Sequence, residues 1–79
     1  MELTLLVFGI VKQKTGKSSL KIDLQGTPTV KNLQEAFIMQ YPDFAQLNGL
    51  IAVNNNYVTA DFELKDEDEI ALIPPVSGG

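Results

Sequence analysis

Apolar positions along the chain change their period in a definite order. Residues 3–8, LTLLVF, are apolar at all but one position, the pattern of a central strand buried on both faces. The polar stretch KQKTGKSS, residues 12–19, contains Gly16 and predicts a hairpin turn. Leu20, Ile22 and Leu24 then alternate with Lys21, Asp23 and Gln25, which predicts a half-buried strand antiparallel to the first. Further on, Thr29 stands as an N-cap ahead of Val30, Leu33, Phe37 and Tyr41 at helical spacing, and Pro42 stops the run. This predicts one amphipathic helix of about three turns. Beyond it LIAVN and YV flank an Asn-Asn-Asn turn, and EIALI follows a short acidic turn, so two or three further short strands complete the chain.

A lone helix hides its apolar stripe against one face of a sheet, which sets the fold class as α+β, a mixed sheet of four to five strands on one main helix. Seventy-nine residues accommodate a single domain. The composition breaks only at residue 74. Residues 1–73 are therefore expected to fold and 74–79 to form a flexible tail: Pro74 and Pro75 lack backbone N–H groups and favour polyproline II, while Gly78 and Gly79 have no side chain to pack.

Composition removes whole classes of chemistry. The chain has no cysteine, histidine, tryptophan or arginine, so a disulfide, a Cys/His zinc site and thiol or imidazole catalysis are all excluded. Ten carboxylates against six lysines give a net charge of −4, the wrong sign for nucleic acid or an anionic membrane. The apolar start has an acidic second residue, no basic n-region and too short a run to span a bilayer, so it is taken as a strand of a cytoplasmic protein.

Four features invite a chemical reading. Thr15 to Ser18, TGKS, ends like a phosphate-binding loop, but that motif needs glycine where Val11 stands and a helix afterwards where SLKIDLQ alternates like a strand. Residues 61–69, DFELKDEDE, hold six carboxylates around one lysine without the glycine and oxygen spacing of a calcium loop. They suit a solvated acidic turn, or else a docking patch for a basic partner. Ser18, Ser19 and Ser77 have no histidine with which to build a hydrolytic triad. The helix stripe is core. No metal site and no catalytic side chain are expected, which leaves the terminal carboxylate.

The string IALIPPVSGG at the end, VFG near the start, TPTVKNL before the helix and IAVNNNYV after it together resemble the small subunits of molybdopterin synthase along essentially the whole chain. That family consists of ubiquitin-like β-grasp sulfur carriers, and Pro74, Pro75, Val76, Ser77, Gly78 and Gly79 match its most specific mark. The resemblance implies that Gly79 is the reactive residue. An adenylating enzyme of the ubiquitin-activating kind would use ATP to activate its carboxylate, and a sulfur donor would then leave a thiocarboxylate. The tail would deliver that sulfur to a pterin precursor inside the large synthase subunit, in a hetero-oligomer of two small and two large subunits. No cofactor would be bound by the chain itself.

The resemblance also implies a partner-facing surface at Phe8, Tyr57 and Ile73, although each of these could equally be core. Two departures stand out. Lys12 and Gln13 replace an Arg-Glu pair common in the family, and lysine cannot form arginine's bidentate fork. Glu67, Asp68 and Glu69 replace Gly-Asp-Glu before the last strand. A thiamin-pathway sulfur carrier, a protein modifier joined to lysines and a passive interaction domain remain as alternatives, since one fold hosts many functions.

Overall fold

The structure, a computed structural model, describes residues 1–47 and 49–74. Its elements run β1 (Glu2–Val7), α1 (Gly9–Thr15), β2 (Ser19–Asp23), α2 (Val30–Gln40), a 3₁₀ turn (Pro42–Phe44), β3 (Leu50–Val53), β4 (Asn56–Tyr57) and β5 (Ile70–Ile73). The strands form one five-stranded sheet in the order β2-β1-β5-β3-β4. β1 pairs antiparallel with β2 and parallel with β5, and β3 is antiparallel to both β5 and β4, which makes the sheet mixed. The α+β class therefore holds, with all five strands present.

Alternation sorts each strand's side chains onto two faces. Leu3, Leu5 and Val7 of β1, Leu20 and Ile22 of β2, Ile51 and Val53 of β3, and Ile70 and Leu72 of β5 turn inward and are buried. Helix α2 covers them with Val30, Leu33 and Phe37, as the helical spacing predicted, while Tyr41 caps the helix and is half-buried. Phe37 packs against both Tyr41 and Phe44, with ring centroids 5.7 Å apart in each pair. Thr29 closes a capping box: its hydroxyl accepts from the Asn32 backbone N–H, and its own N–H donates to Asn32 Oδ1 at 2.9 Å. Among the described residues no polar or charged side chain is buried, and no helix is long and apolar enough to cross a membrane.

Two expectations fail. The first half of the stretch predicted as a hairpin turn is helix: α1 takes Gly9–Thr15, buries Val11 completely and ends on Gly16, whose φ of 71° is the left-handed cap that glycine adopts without strain. The Gly16 N–H donates to the Lys12 carbonyl at 2.9 Å, so the Gly-Lys-Ser run lies at a helix C-terminus, the wrong end for an anion. Nor is β1 buried on both faces. It ends at Val7, Thr4 and Leu6 lie half-exposed on the uncovered side, and Phe8 sits beyond it as the N-cap of α1. A single helical layer leaves the other face of the sheet open.

Candidate functional site

That open face carries an unusual row of residues. In the pairing register Leu6 of β1 stands beside Ala71 of β5, Ala71 beside Ala52 of β3, and Ala52 beside Tyr57 of β4. Two alanines at the middle of the row, flanked by a leucine and a tyrosine, leave a trough because a methyl group cannot fill the height that its neighbours reach. The next row adds Leu50 opposite Ile73. The resulting depression of about 300 Å³ is lined by Leu6, Phe8, Ala52, Tyr57, Ala71 and Ile73, with Asn55 and Glu69 at its polar edge.

Local chemistry explains why these side chains meet. Asn54 and Asn55 have φ of 52° and 71°, the paired left-handed conformation of a two-residue type I′ hairpin, and asparagine tolerates it better than most residues. That hairpin sets Tyr57 directly across from Ala52. The Asn54 side chain then holds the end of the acidic run: its Nδ2 donates to Asp68 Oδ1 and its Oδ1 accepts from the Glu69 N–H, both at 3.0 Å. Asp68 Oδ2 also accepts from the Lys65 N–H at 2.8 Å. So the backbone at Glu69 is fixed beside the apolar trough and Asp68 is half-buried, while Asp61, Glu63, Asp66, Glu67 and Glu69 remain exposed.

The three surface residues singled out from the sequence thus share one site. Phe8 is 45% exposed and Tyr57 67%, so neither is core, and Ile73 is half-buried at the same depression. Leu6, Ala52 and Ala71 complete it and were missed by sequence reasoning. The available signal was that LIAV and IALI are apolar at every position, although one sheet face has no helix to cover it. Pro74, directly after β5, is half-buried. Pro75, Val76, Ser77, Gly78 and Gly79 lie outside the described residues. A second hollow of about 300 Å³ lies on the helix side of the sheet, between α2 and the 3₁₀ turn, lined by Gln34, Phe37, Ile38, Phe44, Leu47 and Leu72.

Comparison with known proteins agrees with the likeness found in the tail and its companion strings. The chain is 40% identical over 83 aligned residues to a protein of Dictyostelium discoideum named molybdopterin synthase sulfur carrier subunit, covering 99% of this chain and 96% of that protein. Among solved structures it is similar to one chain of a complex of subunits 1 and 2 of molybdopterin-converting factor from Helicobacter pylori, at 27% identity and a TM-score of 0.68, covering all of this chain and all of that one. SAMP1 from Haloferax volcanii shares the β-grasp fold with a TM-score of 0.85 at 21% identity, again over the whole of both chains. The profile of the ThiS family matches residues 5–79, so the chain belongs to the ThiS family.

Proposed function

We propose that this chain is the sulfur carrier subunit of a molybdopterin synthase, with Gly79 as the residue that bears sulfur. The observation that carries the reading is the Pro-Pro-Val-Ser-Gly-Gly terminus, which in sequence follows β5, a strand that itself lines an exposed apolar trough, in a chain without cysteine or histidine. A terminal carboxylate has an ordinary pKa of about 3.5, so at neutral pH it is an anion that resists nucleophiles and needs activation. Attack of that carboxylate on the α-phosphorus of ATP expels pyrophosphate and makes an acyl adenylate. A sulfur donor then displaces AMP and leaves a thiocarboxylate. Transfer of the sulfur to the pterin precursor, with water supplying oxygen to the acyl carbon, returns the carboxylate.

The sequence suits each requirement. Two glycines present no Cβ to obstruct a narrow channel or an attacking nucleophile. The prolines restrict the approach, which lowers the entropy lost on insertion. The body is held separately: Phe8, Tyr57 and Ile73 would dock on the large subunit, as exposed apolar clusters do. The adenylating enzyme is the second partner, and the assembled synthase contains two small and two large subunits, in the cytoplasm.

The test is intact mass spectrometry after incubation with the activating enzyme, ATP and a sulfur donor. The expected product differs from the starting chain by one oxygen-to-sulfur exchange at Gly79. An unchanged mass, with the enzyme shown to be active on another carrier, sinks the reading. A product joined through Gly79 to lysine side chains would instead identify a protein modifier.

A further inference from the structure

We propose that Gly9 is a positioning residue for the tail, seating Pro74 and so fixing the base from which residues 75–79 start. Parallel pairing brings the two together. β1 and β5 run in step through Leu5 and Ile70, Leu6 and Ala71, and Val7 and Leu72, and two residues further on Gly9 comes abreast of Pro74. There the chain turns from β1 into α1 with Gly9 at φ +57°, and a Cβ added at Gly9 would stand 3.1 Å from Pro74 Cγ. Such a contact is tighter than side chains normally accept. The bare Cα of Gly9 is therefore the seat on which the pyrrolidine ring rests.

Among the described residues the other glycines lack this combination, Gly49 because its close neighbour, Leu72 Cδ1 at 2.6 Å from an added Cβ, comes without the left-handed backbone. Gly16 and Gly26 share the left-handed backbone, with φ of +71° and +67°, but a Cβ at either would meet nothing within 4 Å. Gly9 is also held firmly from behind, because α1 is pinned to the core through the fully buried Val11 two residues later. A proline ring has few ways to yield: its φ is fixed and it has no rotatable side chain.

The inference rests on the reading of Gly79 as the reactive terminus. A carrier docked through the trough must place its terminus at a partner's reacting atom, so trough and tail base need a constant offset. Misplacement by 1 Å can cost about a hundredfold in rate, and a shift of a few tenths of an ångström about fivefold.

Two measurements test the seat. Because the chain has no cysteine, Ser77→Cys gives a single site for a nitroxide, and its broadening of backbone amides maps where the tail goes. Gly9→Ala is expected to redistribute that broadening. Gly16→Ala, which carries the same backbone penalty at the far end of α1, is expected to lower the melting temperature to a similar degree and leave the broadening unchanged. In adenylation by the activating enzyme, kcat/KM should fall about fivefold in Gly9→Ala and stay at the wild-type value in Gly16→Ala. Added to Pro74→Ala, Gly9→Ala should cost nothing more.

Identical broadening in wild type and Gly9→Ala overturns the proposal, as does equal adenylation of Gly9→Ala and Gly16→Ala. If Gly9→Ala does not fold, the wild-type chain decides alone: nuclear Overhauser contacts between the Gly9 Hα protons and the Pro74 ring protons support the seat, and their absence overturns it. A wild-type chain that is never adenylated removes the carrier reading, while the nitroxide map still judges the seat.

Discussion

Replacing Tyr57 with alanine should separate docking from folding more cleanly than any other single change. A tyrosine has roughly 150–250 Å² to bury, and at 67% exposure about 130 Å² of it faces outward from β4. Alanine would retain about 30 Å² of that. If a partner covers the remaining 100 Å² or so, at about 25 cal/mol per Å² the loss is about 2.5 kcal/mol, or about 60-fold in Kd. The monomer should hardly notice, because an exposed side chain on a two-residue edge strand contributes about 0.5 kcal/mol or less to stability. Titration calorimetry against the large synthase subunit, at two salt concentrations, reads the first quantity, and thermal denaturation followed by circular dichroism reads the second. Apolar docking predicts only mild weakening with salt, whereas attraction to the acidic run would weaken steeply. Tyr57→Glu should go further, since a carboxylate would be desolvated without a partner. An affinity unchanged in Tyr57→Ala, with the fold intact, would take the trough out of the interface.

Other expectations concern the tail and the core. Deleting Gly79 should abolish thiocarboxylate formation, read by mass spectrometry, while leaving the melting curve in place. Thr29→Ala removes the hydroxyl half of the capping box and should cost about 1 kcal/mol, a fall of about 4–8 °C in Tm for a domain of this size. Leu33→Ala, at a position with no exposure, should cost about 2–5 kcal/mol in a denaturant titration and leave the slope of the transition unchanged.

Elements with strong local chemistry are legible in the amino-acid order alone. α2 declares itself through Thr29, its stripe and Pro42, and β2 through strict alternation. α1 does not. It is only seven residues long, buries Val11 alone and opens with Ile10 and Val11 close behind β1, which prolong that strand's apolar run, so no helical period develops. Its one usable sign is Gly16 behind two lysines, the pattern of a helix end, which also fits a turn. At the site, Phe8, Tyr57 and Ile73 came from the family likeness, and their convergence depends on β5 entering between β1 and β3, a pairing no local pattern encodes. Ala52 and Ala71 matter through what they leave empty, and a small side chain gives no outward sign of that in a sequence.

The parallel pairing of β1 with β5 also decides how the domain bears load. β1 begins at Glu2 and β5 ends at Ile73, side by side and pointing the same way. A pull between the start of the chain and Pro74 therefore slides the two strands along each other and stresses their ladder hydrogen bonds together, not one at a time as in unzipping a hairpin. Because β5 is also bonded along its other edge to β3, the strand that receives the pull is gripped on both sides. Forced unfolding is governed by its barrier, and a shear geometry raises that barrier. A force applied through Pro74 is thus carried by two strand ladders at once, which resists drawing the body apart.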